Sequence, residues 1–167
     1  YGDNASRQVI GNGIPTMHAA LTANLQVKNF DLSVTLRGSF DFQILNQYRM
    51  LWENFARGAD HNFPRSILRN KYNHYVATAP AYVSYYVEDG DFVKIDNITL
   101  GYTFRFKNPK NPIRTLRLYA SGLNLYTFTR YQGVDPEINF NGLTPGVDYV
   151  AGYPTTRTFT FGVKLGF

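Results

Sequence analysis

The chain has 167 residues, a formal net charge of +5, 44% hydrophobic residues and no cysteine, and its aromatics are 13 Tyr and 13 Phe against one Trp. That length suffices for one domain with a core of its own, while the lack of cysteine excludes a disulfide scaffold and any Cys-based zinc site. Lys and Arg are scattered along the chain instead of forming a basic stripe, which argues against nucleic acid, and no apolar run is long enough for a transmembrane helix. A membrane β-barrel stays open, because its strands put only half of their residues on lipid and Tyr favours the membrane interface.

The start, Tyr1-Gly2-Asp3-Asn4, has neither the charged end nor the apolar core of a signal peptide, so the expectation for an exported protein is a leader removed upstream. From Thr16 to Val27, Met17, Ala19, Leu21, Ala23, Leu25 and Val27 alternate with His18, Thr22, Asn24 and Gln26, which predicts a strand. A Lys28-Asn29 turn comes next. Phe30, Leu32, Val34, Leu36, Gly38, Phe40 and Phe42 then oppose Asp31, Ser33, Thr35, Arg37, Ser39 and Asp41. This predicted strand, Phe30 to Phe42, exceeds the roughly 9–11 residues that cross a bilayer and the ~5–6 usual in globular sheets.

Between Gln43 and about Val87 the alternation stops, and Ile44, Tyr48, Leu51, Trp52 and Phe55 recur at helical spacing, so this stretch reads as a long structured loop. Glu88-Asp89-Gly90 resembles a tight hairpin turn. Val93 and Ile95 are out of phase with the alternation that begins at Ile98, which predicts a bulge or a small extra hairpin at that strand's entrance. Ile98, Leu100, Tyr102, Phe104 and Phe106 face away from Asn97, Thr99, Gly101, Thr103 and Arg105. Lys107 to Pro112 is a short turn broken by two prolines. A strand from Leu116 to about Tyr131 comes next, then a second long loop from Gln132 to Pro154 rich in Gly, Pro and Asn. In the closing strand Phe159, Phe161, Val163, Leu165 and Phe167 share one face and Thr160, Gly162, Lys164 and Gly166 the other.

Short and long connections alternate strictly, as they do between the periplasmic and extracellular ends of bacterial barrels. Counting back from a periplasmic Phe167 puts both short turns in the periplasm and both long loops outside. Five strands cannot close a membrane barrel, so the first and last should pair with strands supplied from outside these residues.

Val9-Ile10-Gly11-Asn12, Phe30-Asp31-Leu32-Ser33-Val34, Val87-Glu88-Asp89-Gly90, Ile98-Thr99-Leu100-Gly101-Tyr102, Ser121-Gly122-Leu123-Asn124-Leu125-Tyr126-Thr127, Val134-Asp135-Pro136-Glu137 and Arg157-Thr158-Phe159-Thr160-Phe161-Gly162 run collinearly along the chain. Together they resemble the C-terminal end of SusC/RagA-type TonB-dependent transporters of Bacteroidetes. The resemblance implies an all-β fold, an antiparallel transmembrane β-barrel segment forming about the last five strands of a 22-stranded barrel, with the plug domain outside residues 1–167. It further implies an outer-membrane importer of oligosaccharides or, as in RagA, oligopeptides. The partners implied are a SusD-like surface lipoprotein, TonB acting through the plug, the barrel-assembly machinery and outer-membrane lipid. Phe159, Phe161, Val163, Leu165 and Phe167 would form the barrel-assembly signal. The rival from another class is a soluble β-sandwich that binds glycans through its tyrosines.

No catalytic constellation is present, so the reading is a carrier and not an enzyme, with no cofactor and no metal. His18, His61 and His74 are far apart and without metal-site spacing. Asp135, Glu137 and Asp148 lack the spacing of a calcium loop, and ordering of the turn at Pro136 is their plainer role. The candidate substrate or lid contacts are Trp52, Tyr72, Tyr75, Tyr82, Tyr85 and Tyr86, since exposed aromatics stack on sugar faces. The loop arginines Arg49, Arg57, Arg65 and Arg69 fork to carboxylates. The plainer reading makes the loop's aromatics its own small core and an aromatic girdle. Water-facing Arg37, Arg105 and Arg117 are expected to line the lumen or touch the plug, or else to sit at strand ends in solvent.

Overall fold

The computed structural model describes residues 8–54, 62–69, 82–108, 112–138, 142–149 and 153–167. It divides into two compact units, one built from residues 18–39, 92–129 and 155–167, the other from 1–17, 40–91 and 130–154.

The first unit is one antiparallel sheet. Its strands are β1 (Met17–Val27), β2 (Phe30–Phe40), β5 (Phe92–Arg105), β6 (Thr115–Thr129) and β8 (Thr158–Gly166), hydrogen-bonded in that order. All five alternating runs of the sequence are therefore strands, with ends shifted by a few residues. The register stacks like on like: Leu32, Leu100 and Ala120 pair across three strands, and Phe161 comes next on β8. The resulting apolar face is bare, with Leu100 50%, Val163 64% and Phe161 80% exposed. A water-soluble sheet buries such a face, and this one is left for an apolar surrounding. Near the Lys28 turn, Phe30, Tyr102 and Phe104 stack edge to face at 4.5 and 4.6 Å; toward the other end Tyr126 and Phe128 do the same at 4.7 Å.

The opposite face is polar and internally bonded. Thr22 meets Thr35 at 3.2 Å, Thr99 meets Ser121 at 2.8 Å, and His18 Nδ1 lies 2.9 Å from Ser39 Oγ. The phase change at Val93 and Ile95 is a bulge within β5 and not an extra hairpin. Asp96 is the residue left over between Ile95 and Asn97 in the pairings with both β2 and β6. Opposite it, Asn124 takes a positive φ of 52°.

The second unit supplies the main correction to the sequence reading. Val87–Asp89 is not part of a hairpin turn but a strand, β4, lying antiparallel to β3 (Gln43–Asn46), whose other side takes β7 (Val147–Asp148) in parallel. β3 runs directly into a short helix, α1 (Gln47–Trp52), where the sequence has its helical spacing; 3-10 turns lie beyond it at Arg65–Arg69 and Ser84–Tyr86. Phe42 is not on β2: Asp41 has a φ of 58°, the strand ends, and Phe42 and Ile44 are fully buried, with Met50, Tyr86 and Tyr131 nearly so. Burying each such side chain contributes about 1.5–3 kcal/mol. The backbone of residue 43 donates to Asn12 O at 2.7 Å and that of Leu45 to Gly146 O at 2.7 Å. Gly146 has a φ of 76° and packs on the backbone of Gly13, so any side chain there is excluded twice over.

In the sheet, Gly162 is paired with Tyr119 and lies beneath its ring, in the space a Cβ would take. Gly162→Val is therefore expected to lower the yield of heat-modifiable folded protein in detergent by several-fold. Adding Tyr119→Ser should restore it, and a double variant no better than the single would show that the ring is not the cause.

Candidate functional site

The second unit is organised around one guanidinium. Asn46 caps α1, its Oδ1 accepting from the Arg49 backbone N–H at 2.9 Å, and this sets Arg49 on the first turn facing β4. Arg49 then donates through Nε and Nη2 to the two oxygens of Glu53 at 3.0 and 3.1 Å, through Nη1 to Glu88, and through Nη2 to Tyr85 Oη at 3.1 Å. Glu53 is fully buried and Glu88 nearly so. The second Glu88 oxygen accepts the backbone N–H of Gln132 at 2.8 Å, and Asn46 Nδ2 donates to the first at 3.3 Å. Burial works against the Arg49 charge, but hydrogen bonds and attraction from Glu53 and Glu88 outweigh it, and the guanidinium pKa rises.

Beside this network Tyr131 donates to the Asp148 carboxylate. Burial pushes the Tyr131 hydroxyl up, and the hydrogen bond to Asp148 pushes it the same way. Burial also raises the Asp148 carboxyl, against the lowering effect of the Tyr131 hydrogen bond. Asp135 caps its own turn by accepting the Glu137 backbone N–H at 3.0 Å. Among the described residues no three metal-ligating side chains come together.

The aromatic residues singled out in the sequence divide by environment. Tyr86 is buried and stacks edge to face on Tyr85 at 5.0 Å, and Tyr85 carries the Arg49 cation 5.5 Å from its ring centre, so both build the unit's interior. Trp52 is half-buried beside Tyr48 at 5.9 Å, and Tyr48 is partly exposed. Tyr82 is 70% exposed, with the Gln47 amide 3.5 Å from its hydroxyl. Tyr72 and Tyr75, with Phe55, Arg57, His61 and His74, lie outside the described residues. Of the water-facing arginines, Arg37 is bound to Asp96 at 2.8 Å and Arg117 to Asp31, while Arg105 is exposed at a strand end. In the sequence Arg49 reads only as a loop cation. Its Glu53 partner at i+4 is visible there; Glu88 is masked by the turn reading.

No family model matches the chain. The TonB-dependent receptor P3 of Formosa agariphila is 32% identical over 188 residues, covering 98% of this chain and 17% of that protein. The TonB-dependent receptor SusC of Bacteroides thetaiotaomicron is 32% identical over 158 residues, covering 88% of this chain and 15% of that protein. The chain belongs to the SusC/RagA type of TonB-dependent receptor. It spans about a sixth of the length of these curated relatives. In structure it is similar to a chain of the RagAB peptide importer in the closed-closed state, with a TM-score of 0.85 and 20% identity over 100% of this chain and 19% of that one. The open-open state of the same importer matches with a TM-score of 0.77 and 22% identity over 92% of this chain and 17% of that one. The five-stranded sheet is thus a stretch of SusC/RagA-type barrel wall in the outer membrane, its bare apolar face toward lipid and its polar face toward the lumen.

Arg49→Ala would leave two buried carboxylates without their cation, a change that costs about 3–5 kcal/mol. The expected result is rapid protease cleavage within residues 43–91 while the barrel still resists heat in detergent. Arg49→Lys should give partial protection, and equal resistance of all three proteins would remove Arg49 from this role.

The raised Tyr131 and Tyr85 pKa values set a second expectation. A hydroxyl whose folded pKa lies above its unfolded value of about 10 stabilises the fold fully below that pH and loses the contribution as pH climbs through the folded value. The Arg49 unit should therefore loosen only above about pH 10. In an absorbance titration at 295 nm, Tyr131→Phe is expected to remove amplitude from the latest-ionising step alone. Loss from the early step would overturn the assignment.

Proposed function

We propose that this segment belongs to an outer-membrane importer that takes up oligosaccharides together with a SusD-like surface lipoprotein and is energised by TonB through a plug. The observation that carries the reading is a sheet of membrane-crossing length with a lipid face, a polar lumen face and a compact loop unit, in a chain of this receptor type. The edges β1 and β8 would pair with the remaining strands of the barrel, because an unpaired backbone group in lipid costs several kcal/mol. The short turn at Lys28 and the connection after Arg105 would face the periplasm, and the long connections 43–87 and 132–154 would be extracellular. Phe159, Phe161, Val163, Leu165 and Phe167 would then serve the barrel-assembly machinery at the closing strand.

The oligosaccharide reading is supported by Tyr82, whose exposed ring next to the Gln47 amide offers a stacking face and a hydrogen-bonding group together. Trp52, with Tyr48 beside it, is a further candidate contact, and so are Tyr72 and Tyr75, which lie outside the described residues. In this proposal Tyr85 and Tyr86 act from the interior, holding the surface that substrate or lipoprotein touches. Import of peptides is the second reading, favoured by the fold match to the RagAB peptide importer.

Growth of a strain deleted for the receptor gene and complemented with it tests both. Complementation is expected to restore growth on oligosaccharides as sole carbon source, and Tyr82→Ala with Trp52→Ala to slow it several-fold at limiting substrate. Rescue on peptides alone would move the assignment to the second reading, and rescue on neither would sink the importer.

A further inference from the structure

The rim of the sheet that carries the Lys28 turn holds charge of one sign. The segments that meet there, 26–29, 103–108, 112–117 and 164–167, contain Lys28, Arg105, Lys107, Arg114, Arg117 and Lys164 and no carboxylate. Arg105, Arg117 and Lys164 belong to the lumen-facing rows, and Arg117 is bound to Asp31 from further along β2. Arg114 stands on the other face.

Arg114 extends the ladder one step beyond Thr115. Its carbonyl accepts the Phe106 N–H at 2.9 Å, and its own N–H donates to Gly166 O at 2.8 Å. The register through Arg105, Thr115 and Gly166, continued by one residue, therefore sets Phe106, Arg114 and Phe167 in one row across β5, β6 and β8. That row has the phase of Phe104, Leu116 and Leu165, the lipid-facing row next to it. An arginine thus occupies the lipid side of the wall at its edge, between two exposed aromatic residues.

A guanidinium has no place in hydrocarbon, but at its boundary a long cationic side chain lays its stem on apolar surface and its head among lipid headgroups. Arg114 is exposed and has no ion pair among the described residues, and the same holds for Lys28 at the β1–β2 turn. The Thr103 N–H donates to Asn29 O at 2.9 Å, so Lys28 falls opposite Phe104. Two strand spacings across and two residues along separate the backbones of Lys28 and Arg114 by roughly 12 Å, a gap that two such side chains span to one headgroup. Phe104 and Phe106 of β5 lie between them.

The chemistry of this rim fits a phosphate. The planar fork of arginine matches two phosphate oxygens, and lysine adds a second positive charge. No carboxylate is present to hold the ammonium of a zwitterionic headgroup, so the site selects net negative charge. We propose that Arg114 and Lys28 form a binding site for one anionic glycerophospholipid. Its phosphate sits on Arg114 between Phe106 and Phe167, and its acyl chains run along Phe104, Leu116 and Leu165. The leaflet, the periplasmic one, rests on the orientation given in the importer reading above.

The test uses the full-length receptor, stripped of lipid in detergent and given phosphatidylglycerol, phosphatidylcholine or lipid A, with bound lipid counted by native mass spectrometry. The receptor is expected to hold one phosphatidylglycerol in preference to phosphatidylcholine. Arg114→Gln should weaken that binding about fivefold and Arg114→Lys less, with heat-modifiable folding unchanged. Lys28→Gln should also weaken it, and carries the test if Arg114→Gln blocks assembly. Equal binding by all folded variants, or no preference over phosphatidylcholine, overturns the site. Tighter binding of lipid A than of phosphatidylglycerol overturns the glycerophospholipid as its ligand. The orientation is read separately from Lys107→Cys: labelling by a membrane-impermeant maleimide only after the outer membrane is opened supports the periplasmic leaflet. Labelling on intact cells overturns that orientation, whatever lipid the site binds.

Discussion

A backbone that crosses lipid must satisfy every N–H and C=O within the protein, and this constraint shapes the sheet more than any side chain does. It requires an unbroken ladder from β1 to β8, and the ladder in turn fixes which side chains share a row. Once the register is fixed, alternation assigns every residue a solvent. Phe161 and Val163 are exposed because their partner is lipid, whereas Thr160 and Lys164 face the lumen from the same strand. The bulge at Asp96 keeps that assignment: it turns Val93 and Ile95 into phase with the lipid face and delivers its own carboxylate to Arg37.

The Arg49 unit solves a different problem. Outside the sheet the described residues have only short pairings, four residues of β3 against three of β4 and two of β7, too few to stand alone. A single buried guanidinium supplies what the ladder cannot. By binding Glu53 four residues on and Glu88 39 residues on, it ties the helix turn to β4, and through Glu88 to the backbone of Gln132. Buried charges of this kind add little net stability over apolar packing, but they penalise any arrangement that separates them. The unit is thereby specified more than it is strengthened.

This difference explains what is legible in the sequence. Long periodic runs such as Phe30 to Phe42 and Phe159 to Phe167 announce themselves, because each added residue repeats the same two-fold alternation. Even the bulge shows as a phase reversal at Val93 and Ile95. β3, β4 and β7 are too short to establish a period, and Val87–Asp89 reads as part of a turn because Asp-Gly is the usual hairpin chemistry. The end of β2 is hidden for another reason: Phe42 keeps the alternation in sequence, but the left-handed conformation of Asp41 moves it into a different core. Tyr85 and Tyr86 read like exposed contact residues, since nothing local reveals that Arg49 covers one and the core takes the other.

The lumen face has its own economy of space. Side chains standing upright on every strand would narrow the interior, and the wall avoids this by laying long ones flat over glycine. Tyr119 lies over Gly162, with the Arg117 cation 5.1 Å from its ring, and Arg117 reaches Asp31 across Gly101. Each notch places a glycine in a strand, where it weakens the local ladder, so the arrangement is worthwhile only where a smooth wall matters more than strand stability. Lys164, opposite Arg117 in the register, is exposed and has no carboxylate partner among the described residues.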